Sequence, residues 1–274
     1  MVFDLKKTIR KLIIVVAATT QKSRLGRYVY EIFLTMALGF KQTVKHDNLT
    51  LEFFTPNPLS RYRANTFSSK EPDTLIWLNS IPKGSVLWDI GANVGLYSIY
   101  AAKQGVKVYA FEPSPFNLEL LARNIVLNRI HELITIIPIA LTDRIGPGQF
   151  KMSNTVWGGA LSSFGQDFDQ HGNKLNNIFE YQTIGLTMDS AISFLGIPAP
   201  HFIKMDVDGI EHLILRGGVE VLKETQSVLV EINDDFLEQK TESAHRLQSA
   251  GLTLLKKCEM PNAGNQYNQW WVRK

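Results

Sequence analysis

Residues 86 to 112, VLWDIGANVGLYSIYAAKQGVKVYAFE, constrain this chain more than any other stretch. Val86 to Ile90 is a short apolar run rich in strand formers, and Gly91 to Gly95 is a glycine-bounded turn. Leu96 to Lys103 can continue as helix, and Val106 to Phe111 is a second strand run. The unit is β-α-β and closes on an acid, Glu112. A nucleotide-like ligand lies across the carboxyl end of such a unit, where glycines admit it to the backbone. An acid closing the second strand can accept hydrogen bonds from ribose hydroxyls.

The class of nucleotide follows from a missing glycine. A dinucleotide fingerprint needs G-x-G-x-x-G, its middle glycine making room for a pyrophosphate. Here the loop reads Gly91-Ala92-Asn93-Val94-Gly95-Leu96, with Asn93 in that place. The D-x-G-x-x-x-G spacing that begins at Asp89 suits a ligand bearing an ammonium, a carboxylate and a sulfonium, which is S-adenosylmethionine. Asp89, Gly91, Asn93, Gly95 and Glu112 are the residues expected to hold it.

At 274 residues, 45% hydrophobic and 20% charged, the chain can bury one large α/β core with extensions. The single cysteine, Cys258, excludes a disulfide framework and a cysteine-rich metal site, and no thiol-catalysis signature surrounds it. A reducing, cytoplasmic setting is the expectation. Residues 1–80 read as an accessory segment, broken by Pro56, Pro58 and Pro72, and residues 81–274 as the nucleotide-binding domain. Positive charge gathers in the first 63 residues, with Lys6, Lys7, Arg10, Lys11, Lys22, Arg24 and Arg27 ahead of Lys41, Lys45, Arg61 and Arg63. Leu12 to Ala18 is too short to span a bilayer, and Thr19-Thr20-Gln21-Lys22 is a poor cleavage site, so a retained helix is expected. Such a helix either contacts an anionic membrane peripherally or packs on the main domain. No aromatic residues interleave with the basic cluster in a recognisable module, so no nucleic-acid partner is expected.

Beyond Glu112 the alternation is regular: a helix from Pro115 to Asn128, strand Leu133 to Ile137, helix Asp189 to Leu195 and strand His201 to Val207. Helix Ile210 to Lys223, strand Ser227 to Ile232 and helix Leu237 to Ala250 follow, then two runs, Leu252 to Lys257 and Gln269 to Val272, that read as an antiparallel edge. A doubly wound sheet satisfies this order. Polar, glycine-containing sequence at about 146–186, centred on GGALSSFGQ, reads as a hairpin-like insertion.

A second acidic group lies at two strand ends. HFIKMDVDGIEH places Lys204, Asp206, Asp208 and Glu211 at one, and VEINDDF places Glu231, Asp234 and Asp235 at the next. Carboxyl ends of adjacent parallel strands share the edge that carries the cofactor crevice. An acid there can deprotonate an acceptor hydroxyl, or Asp206, Glu231 and Asp234 together can hold a divalent cation such as Mg2+. Asp206 stands out because it lies in an apolar strand with no helix end of its own. Lys204 points to the same face. Asp206, Lys204 and Glu211 are the catalytic candidates.

With both clusters read, the chain resembles the FkbM family of S-adenosylmethionine-dependent methyltransferases. The matching stretches are DIGANVGLYSIYAA, FEPSPFN with its downstream NIVLN, IALTDRIG, LTMD, FIKMDVDGIEHLILRGG and VLVEI, in the family's order over about residues 85–232. Asp208 stands where the family usually has glutamate, and Met188 where it has leucine. The resemblance implies a Rossmann-like, mostly parallel seven-stranded methyltransferase sheet with an antiparallel C-terminal edge strand. It adds Ala92, Pro113 and Asp143 to the expected cofactor contacts. It further implies methyl transfer to an oxygen of a sugar or glycosylated acceptor, and the absent D/N-P-P-Y/F tetrapeptide turns the reading away from amino methylation. Two alternatives compete: a nicotinamide-dinucleotide oxidoreductase, and a catalytically silent module that binds a glycan or membrane.

Overall fold

The computed structural model describes residues 2–259 and 264–274, excepting the side chains of Val2, Phe3, Asp4 and Lys6, so the Lys6 charge of the basic cluster lies outside the described side chains. Helices α1 (Val2–Thr20) and α2 (Arg24–Leu38) lead into a hairpin, β1 (Lys41–His46) and β2 (Leu49–Phe54). Three short helices follow, α3 (Pro58–Asn65), α4 (Phe67–Lys70) and α5 (Pro72–Asn79). The alternating part then runs β3 (Val86–Ile90), α6 (Leu96–Lys103), β4 (Lys107–Phe111), α7 (Pro115–Asn128) and β5 (Ile134–Ile137). An inserted sheet is made from β6 (Ala140–Leu141), β7 (Gly146–Met152), β8 (Ser162–Phe164) and β9 (Phe179–Leu186). The chain closes with α8 (Met188–Leu195), β10 (Phe202–Met205), α9 (Glu211–Arg216), α10 (Val219–Glu224), β11 (Ser227–Asn233), α11 (Leu237–Ser249), β12 (Leu252–Glu259) and β13 (Gln266–Arg273).

The main sheet has seven strands in the order β12-β13-β11-β10-β3-β4-β5. β11, β10, β3, β4 and β5 are parallel, while β13 pairs antiparallel with both β11 and β12. The fold is Rossmann-like and doubly wound, and its antiparallel strand sits one place inside the edge. Each β3 residue is buried, as expected where helices cover both faces of a parallel sheet. Trp88 and Ile90 join one apolar cluster with Met205 and Val230, and Leu87 joins the other with Val108 and Leu229. Asp89 is the charged exception in that strand.

The second cluster recruits the segment before the sheet. Leu51, Phe53, Phe67, Leu75 and Trp77 pack with Ile99, Tyr100 and Leu121. Two α7 amides fasten β2: Asn124 Oδ1 accepts the Phe54 N–H at 2.8 Å and Asn128 Oδ1 accepts the Glu52 N–H at 3.0 Å. Residues 41–79 thus share the domain's core, whereas α2 has no buried residue.

Two differences from the sequence reading have physical causes. The helix expected from Ile210 to Lys223 is two helices broken at Gly217-Gly218, because a Cβ at Gly217 would lie 2.3 Å from the Thr142 carbonyl oxygen and one at Gly218 would lie 2.0 Å from Met188 Cε. The insertion is more than a hairpin. β7 and β9 pair antiparallel, β8 adds to β7, and β9 pairs in parallel with the two-residue β6, which is too short to read from sequence.

Candidate active site

The turn after β3 brings the backbone to the carboxyl edge of the sheet. Gly91 has φ +84, and a Cβ there would lie 1.9 Å from the Asp206 carbonyl oxygen, so glycine is required by the neighbouring strand end. Asn93 also adopts a left-handed φ, 51°, a conformation asparagine tolerates better than most residues. Its N–H donates to Glu112 Oε2 at 2.8 Å, and its side-chain amide donates to the Gly159 carbonyl at 2.8 Å. One residue therefore links the turn, the acid at the end of β4 and the loop of the insertion.

Two cavities flank this turn, and Gly91, Asn93 and Asp206 line both. The first is walled by Asp89, Ala92, Tyr97 and Lys204 and, from α3 to α5, by Arg63, Lys70 and Glu71. The second is walled by Glu112, Pro113, Ile139, Leu141, Phe150 and Phe164. The first cavity is lined by several charged side chains of both signs, and the second by apolar side chains together with the carboxylates of Glu112, Asp206 and Asp208.

Lys204 is buried, its Nζ 3.5 Å from Asp206 Oδ2, 3.9 Å from Asp89 Oδ1 and 5.1 Å from the Tyr97 ring centre. Burial alone would lower the ammonium, but the carboxylates of Asp206, Asp89 and Glu71 outweigh it and raise its pKa. Burial pulls the Asp206 carboxyl up, yet Lys204, Lys70 and Arg63 overcome it and hold Asp206 below the ordinary aspartate value. Asp206 is thus ionised at neutral pH at the junction of the two cavities. Asp89 is raised by burial, and only partly relieved by Lys204 and a 2.5 Å hydrogen bond from the Ser98 hydroxyl. Its other oxygen, Oδ1, is buried without a hydrogen-bond partner.

Glu112 is pushed up to about 7, chiefly by burial and against the N–H groups of Ser114 and Asn93 that it accepts at 2.8 Å each. Asp208 is raised to about 6 by burial and by the nearby Asp206 charge. Its Oδ2 accepts the backbone N–H groups of Leu161 at 2.7 Å and Ser162 at 3.3 Å. This carboxylate caps no helix; it clamps the insertion onto the strand end. Asn117 completes the clamp, accepting the Gly158 N–H at 3.0 Å and donating to the Gly159 carbonyl at 3.1 Å.

Several expected residues stand elsewhere. Glu211, a catalytic candidate, is buried and accepts the N–H groups of Val207 at 3.0 Å and Gly209 at 3.1 Å, with Gln239 donating at 2.5 Å. It braces the loop after β10 and lines neither cavity. Gly95 lies behind the turn, at the head of α6. Asp143 lies in the bend between β6 and β7, pairs with Arg216 at 3.0 Å and lines neither cavity. The cation set of Asp206, Glu231 and Asp234 does not assemble. Asp234 is paired with Lys240 and Lys257, Glu231 accepts from Gln266 at 3.0 Å, and they share no metal-ligand spacing with Asp206. Among the described residues only His212, Glu238 and Glu242 have such spacing, and Glu242 is occupied by Arg216 and Arg246. Burial pushes the Cys258 thiol up to about 11, so it offers no nucleophile near neutral pH.

Arg63, Lys70 and Glu71 escaped the sequence reading because nothing in their spacing joins them to the glycine turn. Glu71 is buried, paired with Lys70 at 3.0 Å and hydrogen-bonded by Thr74 at 3.0 Å, and Arg63 Nε donates to the Gly158 carbonyl at 2.8 Å. The prolines at 58 and 72 that start α3 and α5 were the available signal for short helices capable of forming such a wall.

A family model described as the methyltransferase FkbM domain matches residues 89–258. The chain is similar to the hexuronic acid methyltransferase AglP of Haloferax volcanii, 26% identical over 156 residues that cover 57% of this chain and 59% of that protein. It is also similar to the 31-O-demethyl-FK506 methyltransferase FkbM of Streptomyces tacrolimicus, 28% identical over 156 residues that cover 49% of this chain and 59% of that one. The chain thus spans 59% of the length of each of these two relatives. A solved methyltransferase FkbM from Methylobacillus flagellatus superposes with a TM-score of 0.48 at 16% identity, covering 71% of this chain and 45% of the other.

Proposed function

The chain belongs to the FkbM methyltransferase domain family, and from that premise we propose that it transfers the methyl group of S-adenosylmethionine to an oxygen of a sugar-containing acceptor. The cavities fit such a donor. The apolar walls of the second cavity suit an adenine, and Glu112 in its lining has lone pairs left for ribose hydroxyls after its two backbone contacts. The first cavity offers Asp89, whose Oδ1 accepts no hydrogen bond, to an ammonium and Arg63 and Lys70 to a carboxylate. When bound, the donor supplies a sulfonium-activated methyl group, so positioning accounts for much of the rate.

The observation that carries the reading is the place of Asp206. It is ionised, held by Lys204 and shared by both cavities, so an acceptor hydroxyl entering beside Lys70 and Glu71 meets a carboxylate able to take its proton. Lys204 keeps that carboxylate charged and fixes its direction. Glu211 holds the loop that carries it. The dinucleotide alternative loses ground at Asn93, whose side chain is committed to the Gly159 carbonyl in the position where a pyrophosphate would need bare backbone. The relative named as a hexuronic acid methyltransferase supports a sugar acceptor.

The test is incubation of the full chain with labelled methyl donor and extracts containing glycans and glycolipids. Label in the carbohydrate fraction supports the proposal. Label confined to protein, nucleic acid or free lipid replaces the acceptor class.

A further inference from the structure

The two N-terminal helices carry an apolar surface that no other part of the described chain covers. Leu12, Phe33 and Met36 are 63%, 69% and 66% exposed, and Ile13, Val15, Leu25, Tyr28 and Val29 are exposed as well. Among the described α1 side chains only Ala17 is partly shielded, and in α2 only Gly26, Ala37 and Leu38 are. Leaving so many large apolar groups in water is unfavourable. A contiguous patch of this kind marks an interface.

Charge identifies what covers it. Residues 1–40 contain seven lysines and arginines against two acids, whereas the rest of the chain has twenty-two against twenty-four. The cations sit where an interfacial helix pair needs them: Lys7, Arg10 and Lys11 precede the apolar run of α1, and Lys22, Arg24 and Arg27 surround the turn into α2. Ser23 caps α2 by accepting the Gly26 N–H at 3.0 Å, so the turn is a built corner with its basic residues grouped around it. No described helix is long and apolar enough to cross a membrane. Apolar side chains beside clustered cations, on helices too short in apolar length to span, suit a helix pair lying in the headgroup region.

We propose that α1 and α2 form an interfacial anchor that docks the enzyme on a bilayer rich in anionic lipid. None of the residues lining either cavity comes from residues 1–40, so the anchor acts independently of donor binding. It leaves the cleft open while holding it at the membrane surface.

Vesicle flotation of the full chain tests this. The protein floats with vesicles of phosphatidylcholine mixed with phosphatidylglycerol and is released by high salt, since the attraction is screened over a Debye length. Charge reversal at Lys22, Arg24 and Arg27 together weakens binding about 100-fold or more, and Ile13→Asp with Phe33→Asp abolishes it, both without altering donor affinity or the unfolding temperature. Failure of the wild-type chain to float with anionic vesicles overturns the proposal. So does equal binding to pure phosphatidylcholine, or sedimentation as a dimer that Ile13→Asp and Phe33→Asp dissociate, which would make a second copy the occupant.

Discussion

Lys204 Nζ lies 3.5 Å from Asp206 Oδ2, within one strand end, and the same ammonium reaches 3.9 Å toward Asp89 Oδ1 on the neighbouring strand. A single buried cation thus balances two carboxylates of the cleft. Lys204→Met removes it and leaves Asp89 buried without a countercharge, a change expected to cost about 3–5 kcal/mol. Denaturant unfolding checks this, and adding Asp89→Asn to the Lys204→Met chain should restore part of the loss. Full stability in the single variant would show that the pair does not interact.

Asp206→Asn should leave fold and donor affinity intact while turnover falls by about two to four orders of magnitude, the range expected for loss of a general base. Single-turnover methyl transfer measured beside donor titration separates the two effects. Turnover near the wild-type value would return Asp206 to an electrostatic role beside Lys204.

Glu112 gives the cleft a pH dependence. Burial raises its pKa to about 7, so the carboxylate proposed to accept from ribose hydroxyls predominates above that pH and is protonated below it. Donor affinity is therefore expected to weaken as pH falls from about 8 to about 6, because a charged acceptor is worth roughly 1.5–3 kcal/mol against about 1 for a neutral one. Glu112→Gln should bind weakly at every pH and show a flat profile. A wild-type profile as flat as the variant's contradicts this role.

The glycine turn, the acid at the end of the second strand and the acidic group after Lys204 were legible because each is set by local chain geometry: a strand, a turn and the register that puts Lys204 and Asp206 on one face. The alternation of strands and helices was legible for the same reason, and helix Pro115–Asn128 was read to its ends, whereas the order of strands in the sheet was not. What escaped depends on contacts distant in sequence. Asp208 reads as one more acid of the group after Lys204 until Leu161, 47 residues away, is seen to donate to it. Asp143 lies in a family-like stretch, yet Arg216 claims it. The cleft wall of Arg63, Lys70 and Glu71 depends on a segment that Asn124 and Asn128 fasten to α7 and that shares the domain's apolar core.

The Asp208 clamp can be tested separately from chemistry. Asp208→Ala frees the N–H groups of Leu161 and Ser162, and the loop around Gly158-Gly159 should open. Protease nicking between residues 153 and 161 should rise and donor dissociation should quicken, with a loss on the order of 1–3 kcal/mol for an unpaired polar contact. Unchanged nicking would mean that Asn117 and Asn93 suffice to hold the loop.

Calorimetric titration of the chain with S-adenosylmethionine, with NAD as the comparison ligand and Gly91→Ala as the control, tests the central claim most directly. A Cβ at Gly91 would press on the Asp206 carbonyl 1.9 Å away and sit at φ +84, so the variant must distort the turn between the two cavities. The wild-type chain is expected to bind S-adenosylmethionine one to one and NAD not at all, with a large loss of donor affinity in Gly91→Ala. Binding of NAD in place of S-adenosylmethionine, or donor affinity unchanged by Gly91→Ala, would contradict it.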